Sequence, residues 1–249
     1  MIGIASLHKT FNKGQPNQVQ AINGLNLHIA AGEYAIIVGS NGSGKSTLLN
    51  LMAGSIFPTG GSITIDGTDV TKLADYQRSK WIARVFQNPL SGTAPDLSIL
   101  DNFRLAALRT RPKGFGIGVT DTFKNQVKEK IALLNMGLEN KTNQLMGTLS
   151  GGQRQALTLL MSVMDDCRIL LLDEPSAALD PRSAQAVMQT ADTLIKNFNL
   201  TAILVTHNLK DAFTYGNRII QMAEGAMMHD IAADQKALLT QNDLFGWFS

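Results

Sequence analysis

Cysteine is nearly missing from this sequence. Cys167 is the single cysteine among 249 residues, so the chain has no disulfide framework and offers no cysteine-based metal site. A chain of this kind suits a reducing compartment, where thiols stay unpaired.

An excess of charge of one sign is also missing. Lys plus Arg number 22 against 20 Asp plus Glu, which gives a formal net charge of +2. This balance does not indicate a nucleic-acid partner, because a nucleic-acid-binding domain usually carries a marked excess of basic residues. We therefore expect no nucleic-acid partner.

Long apolar runs are the third absence. Runs such as YAIIVG and ILLLDE fall far short of the roughly 18 residues that a membrane-spanning helix needs. The beginning of the chain, MIGIASLHKT, has neither the basic start nor the apolar segment of a secretory signal. We therefore expect a cytosolic protein that reaches a membrane only through a partner.

What the chain does have is strand followed by helix, repeated. Continuous apolar runs, typical of parallel strands buried on both faces, cover residues 34–38, 169–172 and 202–205. Predicted helices follow the first two runs, at 46–53 and 181–197. Asp180 would cap the second helix, and Pro181 would occupy its first position, where the missing N–H costs nothing. The alternation predicts an α/β domain.

Two blocks stand apart from this pattern. The stretches QVQAINGLNLHIAAGE and GSITIDGTDV carry hairpin-type turns, including Asp66-Gly67, and predict an antiparallel β layer beside the main sheet. From residue 88 to about residue 148 the pattern turns helical, in LSILDNFRLAALR and TFKNQVKEKIALLNMG. We predict one domain, with the core and β layer at 1–88 and 155–249 and an inserted helical subdomain at 89–154. We expect no separate regulatory domain after the last core elements.

The strongest motif is GSNGSGKS at residues 39–46, which matches G-x-x-x-x-G-K-[ST]. It lies between a predicted strand and a predicted helix, as the motif requires. The glycines let successive backbone N–H groups wrap phosphates. Lys45 would reach the β- and γ-phosphates, and the Ser46 hydroxyl would bind Mg²⁺. The spacing and context disfavour the alternative, a glycine-rich turn with an exposed lysine.

Two acids, Asp173 and Glu174, end the apolar run RILLLDE. Ligands of open α/β sheets bind at the carboxyl ends of the strands. Asp173 would hold the Mg²⁺ shell there, and Glu174 would orient or deprotonate the attacking water. Acids are also common where a strand simply passes into a loop, but the phosphate-binding motif makes that interpretation the weaker one.

Weaker signals follow other strand-like runs. Gln87 in RVFQNP could contact Mg²⁺ or its water, and His207 in LVTHN could reach a γ-phosphate oxygen. Each by itself is more often an ordinary polar residue at a strand end. Gly114, Gly116 and Gly118 suggest a dinucleotide motif, but their spacing is wrong and no strand precedes them, so they predict a loop.

A second predicted helix N-terminus follows LSGGQ at residues 149–153. Ser150 could cap this helix, and two glycines would let a ligand approach the backbone. Three interpretations remain open: a second anion, a contribution to a site on another copy of the chain, or a capped helix without a ligand. Two-fold pairing makes reciprocal contribution natural, because each copy gives the same residues to the other.

Taken together, these residues resemble the nucleotide-binding subunit of ATP-binding-cassette (ABC) transporters. In the order of the family, they match Walker A (GSNGSGKST), the glutamine loop (Gln87), the signature (LSGGQ), Walker B (ILLLDE), the D-loop (SAALD) and the switch histidine (His207). The resemblance covers the whole chain. It implies a P-loop NTPase (RecA-like) α/β core with an antiparallel β layer and an inserted helical subdomain.

The resemblance also implies a role for each matched residue, in a head-to-tail dimer around two ATP molecules. The residues expected to bind ATP are Phe11, Gly39, Ser40, Asn41, Gly42, Ser43, Gly44, Lys45, Ser46 and Thr47. Those expected to contact the partner's ATP are Leu149, Ser150, Gly151, Gly152 and Gln153. Glu174 would be the general base, His207 and Gln87 would assist it, and Asp180 would belong to the D-loop. Mg²⁺ would be bound by Ser46, Gln87 and Asp173.

Two departures from the family are visible. Family members often stack the adenine on a tyrosine, whereas the candidate here is Phe11, which keeps the stacking face and loses the hydroxyl. After the signature, QRQALTLLMSVM lacks the arginine–alanine pair common in the family. We expect hydrolysis to survive, because every phosphate-handling position is present.

The resemblance finally implies partners. A homodimer is the default, and the surface around residues 87–102 would meet a membrane permease at the cytoplasmic face of the inner membrane. Around the glutamine loop, the signature and the switch histidine, the sequence is most similar to bacterial uptake cassettes. The permeases of those cassettes resemble the permeases for branched-chain amino acids and work with a solute-binding protein. A cassette that drives a mechanical or signalling membrane partner is the alternative. A soluble ABC ATPase acting on nucleic acid or ribosomes is disfavoured, because such proteins usually carry two cassettes or a long coiled coil.

Overall fold

The computed structural model describes residues 1–108, 118–165 and 167–247. The predicted loop at Gly114 and Gly116 lies outside these ranges. No helix within them is long and apolar enough to cross a membrane.

An antiparallel sheet is built mostly from the first part of the chain. In the described residues its order is β2-β1-β4-β5, and the strands are β1 (Ile2–Phe11), β2 (Val19–Ile29), β4 (Gly60–Ile65) and β5 (Thr68–Asp69). Asp66 and Gly67 form the two-residue connection between β4 and β5, and both have positive φ angles, 48° and 75°, as a tight hairpin turn requires. The predicted β layer is confirmed.

The stretch 18–33 differs from expectation, because it contains no hairpin of its own. It forms the single strand β2, which pairs along β1. Asn23-Gly24 lies inside that strand, where the register shifts between the pairs Leu7–Leu25 and Lys9–Ile22. Gly24 has a φ of 63° and absorbs the extra residue as a bulge. A long neighbouring strand therefore overrides the local turn preference of the dipeptide.

The main sheet carries the α/β core. In the described residues its order is β10-β9-β3-β8-β7-β6, with β3 (Tyr34–Val38), β6 (Ile82–Val85), β7 (Ile169–Asp173), β8 (Thr201–Val205), β9 (Arg218–Ala223) and β10 (Ala226–Ile231). All neighbouring pairs are parallel except β9 with β10. The three predicted strands are confirmed, two of them one residue longer than expected. Because β3, β6, β7 and β8 are parallel, their carboxyl ends meet at one edge.

Helices cover both faces of this sheet. They are α1 (Lys45–Ala53), α2 (Asp75–Arg78), α3 (Ile99–Ala106), α4 (Asp121–Ala132), α5 (Gly151–Ser162), α6 (Pro181–Asn197), α7 (Leu209–Thr214), α8 (Ala233–Lys236) and α9 (Gln241–Gly246). The helix predicted at 181–197 is confirmed, and the one predicted at 46–53 begins one residue earlier.

The block 88–148 is less helical than expected. Residues 88–98 form turns and a bridge, and helical structure begins only at α3. The dipeptides Asn-Pro, Ser-Gly and Pro-Asp in this segment favour turns, which explains the difference. The proposed boundary between residues 154 and 155 falls inside α5, and the division into subdomains remains a prediction.

Successive residues of β3 point to opposite faces of the sheet. Ile37 belongs to a buried cluster with α1 and the antiparallel layer. Ile36 and Val38 belong to a cluster on the other face, with α3, α4, α5 and α6. The end of β3 is thus packed from both sides, whereas α1 packs on one of them, and together these contacts hold the connecting loop in place.

Arg78 stabilises the C-terminal end of α1. Its side chain is fully buried, and its guanidinium donates to the carbonyl oxygens of Leu51 at 2.7 Å and Met52 at 2.9 Å. It also donates to the carbonyls of Leu73 and Thr71. Carbonyls at a helix C-terminus lack intrahelical partners, so Arg78 supplies donors that the helix cannot.

We predict that Arg78→Met destabilises the fold by about 3 kcal/mol, because buried carbonyls lose their donor. Urea unfolding of the two proteins measures the difference. Arg168→Met is the matched control, because Arg168 is 67% exposed and pairs with Asp66 at 3.1 Å. The control should lose less than about 0.5 kcal/mol, and equal losses in both variants would contradict the prediction.

Candidate nucleotide-binding site

The loop 39–44 connects β3 to α1 and leaves no room for side chains at two of its glycines. A Cβ on Gly39 would lie 2.3 Å from the carbonyl oxygen of Met222. Gly44 has a φ of 101°, and a Cβ there would lie 2.5 Å from the carbonyl oxygen of Ala21. Neighbouring backbone therefore dictates glycine at both positions. The loop opens directly into the N-terminus of α1, which favours an anion.

Ser43 adds a second indication of a ligand. It is buried, and its Oγ has no hydrogen-bond partner within the described ranges. A buried hydroxyl without a partner is uncommon in a folded protein. At the centre of a loop whose amides wrap phosphates, this hydroxyl fits an anion site.

Lys45 folds back over the same loop. It is 5% exposed, and its Nζ donates to the carbonyl oxygens of Gly39 at 2.7 Å and Ser40 at 2.9 Å. Burial lowers the pKa of Lys45, and the nearby Glu174 and Asp173 oppose that shift. The ammonium therefore lies where phosphate oxygens would need a counter-charge.

The start of α1 meets the end of β7 at a pair of oxygens. The Oγ of Ser46 donates to Oδ1 of Asp173 at 3.2 Å. A hydroxyl and a carboxylate are the ligands that Mg²⁺ prefers, and in nucleotide sites it takes one or two protein ligands together with phosphate oxygens and water. These residues therefore fit a magnesium ion.

Glu174 continues from Asp173 in a strained backbone. Its φ is 45°, which is uncommon for a residue other than glycine, and its N–H donates to the carbonyl of Val205 at 3.0 Å. The Glu174 Oε2 lies 2.9 Å from Nδ1 of His207. Because an ionised carboxylate only accepts, Nδ1 carries the proton and Nε2 stays available to another group. The geometry suits a base positioned by a histidine.

Two expected site residues are not joined to this cluster. Gln87 lies two residues beyond β6 and is exposed, and within the described chain its side chain makes no hydrogen bond to Ser46 or Asp173. Phe11 ends β1, and its ring lies 4.9 Å from Nζ of Lys9. The roles of Gln87 and Phe11 remain predictions.

The signature segment begins α5. The Oγ of Ser150 accepts from the N–H of Gln153 at 3.3 Å, and Oε1 of Gln153 accepts from the N–H of Ser150 at 3.2 Å. This is a capping box. It leaves the N–H groups of Gly151 and Gly152 without intrahelical acceptors. No hydrogen bond in the described residues joins this segment to the loop 39–44.

Helix packing accounts for Gly152. A Cβ at Gly152 would lie 2.7 Å from Cβ of Ser183 on α6, whereas a Cβ at Gly151 would meet only the end of Leu179 at 3.0 Å. Asp180 caps α6, accepting from the N–H groups of Arg182 at 3.2 Å and Ser183 at 3.1 Å. The hydrogen bonds from Ser183 and Arg182 lower the pKa of Asp180. The segment 149–153 and the D-loop thus pack directly against each other.

Arg84 is a site residue that sequence reasoning missed. It lies on β6, and its Nη2 donates to Oδ2 of Asp173 at 2.8 Å. The signal was present, because an arginine in an otherwise apolar strand must find a partner when the strand is buried. Asn50 on α1 accepts from Nη1 of Arg84 through its Oδ1. Nothing in the sequence around Asn50 indicates this contact.

Comparison with known proteins agrees with this geometry. The family described as "ABC transporter" matches residues 22–177. The chain is 37% identical to the tyrosine transport ATP-binding protein of Clostridioides difficile (strain R20291), over 100% of this chain and 98% of that protein. It is 35% identical to the thiamine import ATP-binding protein ThiQ of Escherichia coli (strain K12), over 80% and 81% of the two chains. The dimeric post-hydrolysis structure of the cassette MJ0796 bound to ADP and Pi aligns with a TM-score of 0.79 and 28% identity, over 94% of this chain and 99% of that one.

We predict that Gly152→Ala destabilises the protein by about 1–2 kcal/mol, because the added methyl overpacks the α5–α6 contact. Adding Ser183→Gly removes the opposing Cβ, so the double variant should be more stable than the sum of the two single changes by about 1 kcal/mol. Urea unfolding measures all four proteins.

Gly151→Ala serves as the control, because the end of Leu179 can move away from the new methyl group. It should change stability by less than about 0.5 kcal/mol. Strict additivity of Gly152→Ala and Ser183→Gly would show that the contact with α6 does not set the requirement for glycine.

Proposed function

The chain belongs to the ABC transporter family as its ATP-binding and ATP-hydrolysing subunit, and from that premise we propose that it drives import of a small solute, such as an amino acid, through a membrane permease. The observation that supports import is the similarity, at 35% identity, to the thiamine import ATP-binding protein of Escherichia coli. The end-to-end similarity, at 37% identity, to a tyrosine transport ATP-binding protein supports an amino acid as the solute.

Hydrolysis would begin with the phosphates of ATP in the loop 39–44. The ammonium of Lys45 would leave the carbonyls of Gly39 and Ser40 and bind phosphate oxygens instead, as the corresponding lysine does in P-loop NTPases. Glu174 would accept a proton from the attacking water or orient it. His207 would hold Glu174 through Nδ1 and keep Nε2 for the γ-phosphate.

Ser46 and Asp173 would hold Mg²⁺, with Gln87 as a further ligand. A magnesium ion at this position neutralises charge on the phosphate oxygens during transfer. The pairing of Ser46 Oγ with Asp173 Oδ1 at 3.2 Å supports the first two ligands.

Two copies of the chain would form the complete site. Within the described residues of one chain, no hydrogen bond joins the segment 149–153 to the phosphate loop. The first N–H groups of α5 lack intrahelical acceptors. A head-to-tail dimer would direct these amides to the ATP held by the other copy. The dimeric structure of MJ0796 bound to ADP and Pi supports the pairing of two cassettes.

The permease would dock near residues 87–102. Exposed apolar side chains there include Leu90 and Leu97, which are 48% and 39% exposed. The same segment contributes Gly92, Thr93 and Ala94 to the wall of a cleft of about 430 Å³, called the upper cleft, which Arg84 and Asn102 also line. We propose a permease similar to those for branched-chain amino acids, a solute-binding protein, and a position at the cytoplasmic face of the inner membrane.

We predict that Glu174→Gln lowers the ATP turnover number by at least about 10²-fold, because the water loses its base, while ATP binding is retained. Without hydrolysis the ATP-bound dimer should accumulate. Phosphate release measures the turnover, a fluorescent ATP analogue measures the binding, and light scattering measures the mass in ATP.

Glu129→Gln is the matched control, because Glu129 is exposed on α4 and takes no part in the described hydrogen bonds of the site. It should keep normal turnover and no stable dimer. A Glu174→Gln protein that binds ATP and stays monomeric would count against the dimer, and unchanged turnover would count against Glu174 as the base.

Coupling to a membrane permease is tested by isolating the tagged protein from its native membranes in mild detergent. We expect a permease with many membrane spans to co-purify. A partner with few spans and a large external domain would favour a mechanical role. Recovery of soluble partners alone, with ATPase activity intact, would overturn the proposal of a membrane transporter.

A further inference from the structure

Arg84 connects three parts of the site. Its Nη2 donates to Oδ2 of Asp173 at 2.8 Å, and its Nη1 donates to Oδ1 of Asn50 at 2.6 Å. Its guanidinium carbon lies 4.6 Å from the ring centre of Phe86. Arg84 therefore joins the end of β7 to α1 and to the segment that leads to Gln87.

The two oxygens of Asp173 have different partners. Oδ1 accepts from Ser46, whereas Oδ2 accepts from Arg84. Arg84 thus binds the oxygen that Ser46 does not contact and leaves Oδ1, beside the Ser46 hydroxyl, for the proposed Mg²⁺. A planar guanidinium with two nitrogens bound to two acceptors fixes a carboxylate in a way that a flexible ammonium does not.

Stability alone does not account for this arginine. The Arg84 and Asp173 side chains are 11% and 14% exposed, and desolvating such a pair costs about as much free energy as the attraction returns. The Nε atom of Arg84 is buried without a partner in the described residues, which adds to the cost. Branched apolar side chains suit a buried parallel strand better.

We propose that Arg84 is a positioning residue that orients Asp173 for Mg²⁺ in the nucleotide complex. The inference rests on the proposed function, because it requires that Asp173 binds the ion. Groups that hold a metal-ligating carboxylate typically change metal affinity by 10–100-fold when they are removed. Arg84 also forms part of the wall of the upper cleft and of a second cleft beside Tyr76 and Ser79, so it lies between the proposed docking surface and the proposed Mg²⁺ ligand Asp173.

The test measures binding of a fluorescent ATP analogue as a function of Mg²⁺ concentration, without relying on turnover. For Arg84→Met we expect affinity in EDTA to stay within about 2-fold of the natural protein, since the loop 39–44 and Lys45 are unchanged. The Mg²⁺ concentration that produces half of the maximal increase in ATP-analogue affinity, the half-effect concentration, should rise by about 10-fold. Mn²⁺ binding followed by electron paramagnetic resonance should weaken in parallel.

Two further variants separate positioning from folding. Arg84→Lys keeps the charge but reaches only one of the two acceptors. Its half-effect Mg²⁺ concentration should therefore lie between those of the natural protein and Arg84→Met. Arg168→Met removes an arginine from the exposed Arg168–Asp66 pair and should leave the Mg²⁺ dependence unchanged. Thermal unfolding without nucleotide identifies any variant that fails to fold, and Arg84→Lys then carries the test.

An unchanged or lower half-effect Mg²⁺ concentration in folded Arg84→Met or Arg84→Lys would overturn the proposal. An equal loss of affinity in EDTA and in Mg²⁺ would also overturn it, because that pattern shows a general defect of the phosphate loop. If the natural protein itself shows no Mg²⁺-dependent ATP binding, the proposed function fails, and the result is distinguishable from a failure specific to Arg84.

Discussion

The parallel pairing of β3, β8 and β7 is the constraint on which the site depends. Val205 on β8 pairs with Ile37 on β3 on one side and with Asp173 on β7 on the other. The ladder continues past the strands, since Glu174 donates to the carbonyl of Val205 at 3.0 Å and Thr206 donates to that of Ile37 at 3.1 Å. Three segments far apart in sequence therefore end in register. The phosphate loop, the two acids and the histidine are brought to one edge as a consequence.

This pairing explains why Glu174 can hold an uncommon backbone conformation. A residue with φ of 45° costs about 1 kcal/mol or more unless its surroundings fix it. Here the N–H of Glu174 is bound to β8, and its carboxylate is bound to His207, which follows the same strand. The neighbouring strand therefore fixes both ends of the residue that would act on the water.

Much of this arrangement could be predicted from the sequence, because it depends on local patterns. Continuous apolar runs located β3, β7 and β8, and the spacing of GSNGSGKS located Lys45 and Ser46 between a strand and a helix. The rest depends on tertiary contacts that a local pattern does not contain. Asn23-Gly24 favours a turn by itself but forms a bulge because β1 offers a long partner. An arginine in the apolar strand β6 indicates a buried partner, but that this partner is Asp173 follows only from the pairing of β6 with β7.

Lys45 and Ser150 differ in how they could bind a phosphate group. The ammonium of Lys45 already donates to two carbonyls, so a phosphate would compete with them. The oxygen of Ser150 accepts from the N–H of Gln153, and its O–H remains able to donate. Exchanging a hydrogen bond contributes less net free energy than forming a new one, so hydroxyl and amide donors must supply a larger share of the affinity. The amides of the loop 39–44 are present in one chain, whereas those of Gly151 and Gly152 require a second copy. Stable closure around ATP would thus depend on pairing, because a second copy adds its donors to those that the loop 39–44 already supplies.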